Sequence, residues 1–216
     1  MTAERVIAGA LGLFAALLAI VRANRSAAFD LAMTIRLQGF QHPALGEAMR
    51  VASWPGFPPQ SRLIPPAIMA AWWLSGRRRV AAFQLLAWGG ALLSTLIKSF
   101  MRRPRPLPPE VRVVVAPLGG TSFPSGHVLT YVAFYGMLGF LLAEELDDGP
   151  LRNLSVATLT TLLTLVGPSR IQQGHHWTTD VLASYLLGLA YLLALIELYR
   201  LTQRRPWYLR AATALR

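Results

Sequence analysis

Six stretches of this chain are apolar over lengths suited to crossing a bilayer, and a water-soluble fold does not tolerate that pattern. Crossing the ~30 Å hydrocarbon core takes about 20 mostly apolar residues, within a range of roughly 17–25. The stretches run from Val6 to Val21, from about Phe57 to Leu74, and from Val80 to Ile97, then from His127 to Ala143, Leu151 to Val166 and Val181 to Tyr199. The second is the least regular, because Pro58-Pro59 and Pro65-Pro66 fall within it and proline deletes a helical hydrogen bond. Only 14% of the residues are charged and 54% are hydrophobic, with a mean hydropathy of +0.42; soluble domains carry about 25% charged residues. The expectation is an all-α integral membrane bundle of six transmembrane helices, forming one domain over residues 1–216. The first stretch has the basic lead of a secretory signal, but Arg22 and Arg25 follow it directly and five more runs come later, which favours an uncleaved helix.

The stretch 23–56 is too polar to span. Between Ala27 and Phe40 it mixes Phe29, Leu31, Ile35 and Leu37 with Asp30 and Arg36. An interfacial helix or a surface loop with packing side chains is expected there. With the N-terminus inside, the connections and tails hold ten Lys and Arg inside against eleven outside, which decides nothing. Setting aside Lys98, Arg102, Arg103, Arg105 and Arg170, which have another use, leaves six outside and favours both termini in the cytoplasm.

The formal charge of +11 rests on 20 Arg and a single Lys. In a membrane chain this points to phosphates and lipid headgroups rather than nucleic acid. There is no cysteine, so thiolate chemistry and disulfides are excluded.

Three polar clusters stand at span ends. The first is Lys98-Ser99-Phe100-Met101-Arg102-Arg103-Pro104-Arg105-Pro106, leaving span three. The second is Thr121-Ser122-Phe123-Pro124-Ser125-Gly126-His127, entering span four. The third is Ser169-Arg170, then His175-His176-Trp177-Thr178-Thr179-Asp180, between spans five and six. Spans alternate in direction, so all three clusters belong to one membrane face. Lys98, Arg105 and Arg170 supply three cations, and arginine's fork suits phosphate oxygens. Ser125 and Gly126 open a helix, where a hydroxyl can cap and free N–H groups can seat an anion. His176 and Asp180 are four apart on one helical face, so the carboxylate can hold the imidazole N–H and leave the other nitrogen basic. His127 adds a second imidazole. Such a collection suits phosphoryl transfer.

Lys98-x6-Arg105-Pro106, Pro124-Ser125-Gly126-His127 and Ser169-Arg170-x5-His176-x3-Asp180 together resemble the three signature motifs of the type 2 phosphatidic acid phosphatase superfamily, in order and spacing. The resemblance is strong over residues 80–199 and extends to the first 80 only through span number. It implies a membrane lipid phosphatase that uses no metal or other cofactor. His176 would attack phosphorus to form a phosphohistidine, Asp180 would orient it, and His127 would protonate the leaving group. Lys98, Arg105, Arg170, Ser125 and Gly126 would hold the phosphate. The implied substrate is a lipid phosphate or diphosphate, such as undecaprenyl diphosphate, phosphatidic acid, diacylglycerol diphosphate or phosphatidylglycerol phosphate. With the favoured orientation the site faces the periplasm or exterior of a bacterial inner membrane. No signal bears on oligomeric state.

Blander readings apply elsewhere. His175 reads as a wall or loop residue, and His42 as solvent-facing. Arg102 and Arg103 suit substrate steering and headgroup anchoring equally. Arg77 to Arg79 read as a topology signal, and Glu197 should reach water. Trp72, Trp73, Trp177 and Trp207 fit interfacial anchoring, with Trp177 also a possible pocket wall. Three rivals remain at this level: an anion-attracting transporter or channel, a metal hydrolase ligated by His127, His175, His176 and Asp180, and a vanadate-type haloperoxidase. The first leaves the paired histidines unexplained, and the last is a soluble class.

Overall fold

The computed structural model of the protein describes residues 2–114 and 119–204, and every regular element among them is helical. The tail cations Arg205, Arg210 and Arg216, and Trp207, lie outside the described residues. Five helices are long and apolar enough to cross a membrane. They are α1 (Ala3–Arg22), α5 (Arg78–Met101), α6 (Gly126–Glu145), α7 (Pro150–Gln172) and α8 (Thr178–Arg204). Between α1 and α5 lie α2 (Ala27–Gly39), α3 (Pro43–Ser53), a 3₁₀ turn at Trp54–Gly56, and α4 (Gln60–Leu74).

The second expected span is the one that differs. It starts at Gln60 rather than Phe57, and its 15 residues extend only about 22 Å at 1.5 Å per residue. Pro58-Pro59 delay its start, and Pro65 and Pro66 sit inside it. Elsewhere, breaks in helical bonding are repaired by side chains. Helix α5 bends at Gly89-Gly90, between segments Arg78–Trp88 and Gly90–Met101, and the Tyr191 hydroxyl donates to the Leu86 carbonyl at 2.7 Å. A Cβ on Gly89 would stand 2.8 Å from that hydroxyl. In α6 the turn Tyr131–Tyr135 is wound as a π-helix, and buried Gln84 donates to the Phe134 carbonyl at 2.9 Å. Pro168 in α7 provides no N–H for Thr164 O, and Gly167 N donates to the Tyr185 hydroxyl at 3.0 Å, while that hydroxyl donates to Leu163 O at 2.7 Å and stands 3.3 Å from Thr164 O. Each repair spares a backbone carbonyl from facing hydrocarbon unpaired.

The largest core cluster joins α5, α6 and α8 through Phe83, Tyr131, Phe134, Met137, Leu141 and Tyr199. Outward-facing Leu13, Leu63, Leu85, Leu92, Leu96 and Leu189 are left exposed, as a lipid-facing surface requires. Helix α1 packs along α8, with Phe14, Leu17 and Leu18 against Phe123 and Ala183. At one end of the bundle Arg77 pairs with Glu145 at 3.0 Å, and Arg78 and Arg79 lie over the rings of Trp73 and Tyr199. Trp72, read as an interfacial anchor, is buried beneath Arg77.

The 23–56 stretch is neither a loop nor a conventional amphipathic helix. Ser26, Asp30, Thr34 and Gln38 recur every four residues and are all buried, while Phe29, Ile35 and Phe40 are exposed. The polar stripe faces inward, onto the polar ends of α7 and α8. Gln38 donates to the carbonyls of Arg112 and Gln172 at 2.7 and 3.1 Å. Helix α3 starts on Pro43, with His42 Nδ1 accepting from Ala44 N at 3.2 Å, and ends where Ser53 donates to Ser169 Oγ at 2.6 Å.

Candidate active site

The end of α5, the start of α6, the end of α7 and the start of α8 meet under the α2–α3 pair, as the alternation of spans requires. Two loops stitch them together. Ser122 N donates to Arg103 O at 2.8 Å, Ser122 Oγ to Pro104 O at 3.0 Å, and Trp177 Nε1 to the same Pro104 carbonyl at 3.0 Å. Gly174, with φ of +73°, turns the chain from α7 toward His175. A Cβ there would lie 2.3 Å from the Arg112 carbonyl, so both the turn and the approach of the 106–114 loop require glycine.

His176 is buried, with Nδ1 2.7 Å from the Ser122 carbonyl. A carbonyl only accepts, so Nδ1 carries the proton and the neutral ring keeps its lone pair on Nε2. Arg105 Nη1 stands 3.3 Å from that Nε2 and also donates to His175 O at 2.7 Å. Asp180 Oδ2 is 3.7 Å from His176 Nδ1, an ion-pair separation and not a hydrogen bond. The expected carboxylate–imidazole bond is thus supplied by a backbone carbonyl, while Asp180 takes Trp177 N at 2.9 Å and Arg103 at 2.6 Å. Burial pulls the His176 imidazole down to about 4, with Arg105 and Lys98 pulling the same way and Asp180 opposing. Burial, seconded by Arg170, lowers His175 to about 3. Both rings are neutral at pH 7. Burial also lowers Arg105 from its ordinary value.

Arg170 has no exposed surface, and its polar partners are Gln173 Oε1 at 2.7 Å, His175 Nδ1 at 3.2 Å and Ser169 Oγ at 3.5 Å. Its guanidinium lies 4.8 Å from the centre of the Phe57 ring. None of these partners is a carboxylate. Lys98 and Arg105 likewise take part in none of the ion pairs among the described residues. Lys98 Nζ approaches Gly126, 3.5 Å from where a Cβ would stand.

Ser125 occupies the helix N-cap but does not cap. Its hydroxyl is buried and unpartnered, as is His127 Nε2. Lys98, Ser94, Gly126 and His127 line a cavity of about 330 Å³ between α4, α5 and α6, together with Pro65, Trp88 and Phe134. All eight residues singled out in the motifs therefore fall at this bundle end. His175, expected as a wall or loop residue, is buried against Arg170 and Phe57. Among the described residues no group of three or more His, Cys, Asp or Glu is arranged to hold a metal ion.

Several contributors lack a motif signal. Phe57 touches His127 and His175 edge-on, with ring centres 4.9 and 6.0 Å apart, besides lying under Arg170. Gly56 is pressed on His127, so a Cβ would meet ring Cδ2 at 2.2 Å. Arg103, expected to steer substrate or anchor to headgroups, instead sits between Asp30 and Asp180 at 2.6 Å from each. The polar period of Ser26, Asp30, Thr34 and Gln38 was the available signal for the α2 contribution. Trp177 lies against Arg103, 5.9 Å from ring centre to guanidinium, and walls a different cavity.

Known proteins share part of this sequence and its fold. The sequence profile described as "PAP2 superfamily" matches residues 79–204. Phosphatidylglycerophosphatase B of Bacillus subtilis (strain 168) is 33% identical over 110 residues, which is 49% of this chain and 51% of that protein. The match thus spans about half the length of that relative. The crystal structure of a transmembrane PAP2-type phosphatidylglycerolphosphate phosphatase from Bacillus subtilis superposes with a TM-score of 0.79 at 24% identity, over 92% of this chain and 98% of that one. Aquifex aeolicus LpxE superposes with a TM-score of 0.62 at 22% identity, over 78% of this chain and 95% of that one. At these identities the superpositions establish a shared fold.

Proposed function

The chain belongs to the PAP2 superfamily, and on that footing we propose that it is a membrane phosphatase that releases inorganic phosphate from a lipid phosphate or diphosphate through a covalent phosphohistidine at His176. The observation that carries this reading is Arg170, a fully buried cation with no carboxylate among its partners. A buried charge left unpaired is strongly unfavourable, and a bound phosphate supplies the missing anion. Lys98 and Arg105 reinforce it from the α5 end. The cavity between α4, α5 and α6 is lined both by Lys98 and His127 and by apolar Pro65, Trp88 and Phe134, which suits a phosphate carried on a hydrocarbon tail.

In this mechanism the Nε2 lone pair of His176 attacks phosphorus as the bond to the leaving oxygen breaks. His127 gives its proton to that oxygen, freeing the lipid alcohol from a monoester or the lipid monophosphate from a diphosphate. Asp180 offsets the positive charge on the phosphorylated ring. Water then attacks phosphorus, His127 takes its proton, and the P–N bond breaks to restore neutral His176. Lys98, Arg105, Arg170, the Ser125 hydroxyl and the Gly126 amide balance charge on the equatorial oxygens, the main source of rate in phosphoryl transfer. No step uses a metal. The likeness to phosphatidylglycerophosphatase B puts phosphatidylglycerol phosphate first for testing, with undecaprenyl diphosphate and phosphatidic acid beside it.

Six crossings are proposed, with the short α4 as the second. It leads from Phe57, beside His127, to the Arg77–Glu145 pair at the other bundle end. Both termini then lie in the cytoplasm and the site faces outward. The test is phosphate release by purified full-length protein in detergent micelles over these three lipids, with and without EDTA. Release that EDTA leaves unchanged is expected. Release from none of them would overturn the function, and loss in EDTA restored by a divalent ion would overturn the metal-free mechanism.

A further inference from the structure

Arg103 lies outside the signature motifs, yet it is the most heavily engaged side chain beside the site. Its Nη1 donates to Asp180 Oδ1 at 2.6 Å and to Thr179 Oγ1 at 2.8 Å. Its Nη2 donates to Asp30 Oδ2 at 2.6 Å and to Ser26 Oγ at 3.1 Å. The side chain is 12% exposed, against 1% for Asp30 and 0% for Asp180. A planar guanidinium can grip two carboxylates in two directions at once, which an ammonium cannot. Asp30 is fixed in turn, because Thr179 N donates to its Oδ1 at 2.8 Å and Thr179 Oγ1 to its Oδ2 at 2.8 Å. A carboxylate from α2 thereby satisfies a free amide in the first turn of α8.

The consequence falls on His176. With Oδ1 of Asp180 held by Arg103 and Oδ2 by Trp177 N, the carboxylate stops 3.7 Å short of His176 Nδ1, and the ring proton goes to Ser122 O. We propose that Arg103, locked by Asp30, is a positioning residue that anchors Asp180 at ion-pair distance, so that Asp180 offsets charge arising on His176 without drawing the ring out of line. The catalytic half of this inference rests on the reading of His176 as nucleophile. The electrostatic half does not.

The charged and titratable groups around His176 are Arg105 and Lys98 from the α5 end, Asp180 from α8, His127 from α6, and the adjoining His175. Releasing Arg103 frees Asp180 from its cation and lets Oδ1 swing toward Nδ1. A closer, unpaired carboxylate favours the protonated ring. The test uses full-length protein in micelles with ¹³C-labelled histidine rings, the His176 resonance being assigned by its absence in His176→Gln. Wild type, Arg103→Gln and Arg103→Lys are titrated, and phosphate release is followed in parallel. In Arg103→Gln the His176 midpoint should rise by about one pH unit, and kcat should fall about 10²-fold with KM little changed. Arg103→Lys should shift both in the same direction by less. If Arg103→Gln does not fold, the lysine variant decides. A folded variant that loses thermal stability while the His176 midpoint stays put would reduce Arg103 to a brace and overturn the proposal. If wild type releases phosphate from none of the lipids, the proposed function falls, and the titration alone still decides the role of Arg103.

Discussion

The Nδ1–H of His176 rests on the carbonyl of Ser122, 2.7 Å away, and this contact fixes the lone pair on the opposite nitrogen, beside Arg105. If that nitrogen is the nucleophile, His176→Ala should lower phosphate release by more than about 10⁴-fold while far-UV circular dichroism and thermal melting in detergent stay near wild type. Turnover within a few-fold of wild type would remove His176 from the reaction.

The acid side of the pH profile follows from burial. His176 sits near 4 in the folded protein, below the ordinary histidine value of about 6.5, so its neutral form persists well into acid. The acid limb of kcat/KM should therefore fall nearer 4 than 6.5, and Arg105→Gln should move it upward by removing a repelling cation. Stability has the same sign. The unfolded chain binds more protons between these values, so the contribution of the neutral ring is complete above about 6.5 and fades as pH falls toward 4. His175, held near 3, adds to that loss. Kinetics and thermal melting across pH 4–8 measure both.

Replacing Arg170 by lysine keeps the charge but abandons the fork that reaches Gln173 and His175 together. A drop of about 10²-fold in kcat/KM is expected, with inorganic phosphate or vanadate inhibiting more weakly. Equal activity and inhibition would mean that Arg170 serves the fold alone.

Gly56→Ala tests the placement of His127 from outside the motifs. Its new Cβ would stand 2.2 Å from the ring, so the imidazole must move. About 10²-fold should be lost for a lipid alkoxide leaving group, and far less for an activated aryl phosphate, whose leaving oxygen needs no proton. His127→Ala should follow the same pattern. Equal losses on both substrates would argue against a proton donor at this position.

Much of this architecture was legible in the chain. Apolar run lengths predicted the five long helices, and their alternation predicted that Lys98, His127, Arg170 and Asp180 would gather at one face. The differences share a cause. The run at Phe57–Leu74 yields a shorter helix than expected, from Gln60, because hydropathy does not register where Pro58-Pro59 allow a helix to begin. Spacing alone put Asp180 on the His176 N–H, because a backbone carbonyl such as that of Ser122 carries no mark in a sequence. The polar period of α2 looked like a wet surface, although in a bilayer the wet-looking face can be the one turned toward protein. Phe57 and Gly56 were hidden because an aromatic ring and a glycine at a turn have many ordinary uses.

The grip of Asp30 on Arg103 and Thr179, with Gly56 and Phe57 against His127, makes the two halves of the chain interdependent. A fragment beginning at Arg78 would retain every signature residue, yet the socket around them would be open on one side. A chimaera joining the first 77 residues of a distant relative to this C-terminal half would inherit the chemistry without its alignment, unless the donor brought an acid and an aromatic to the same two spots.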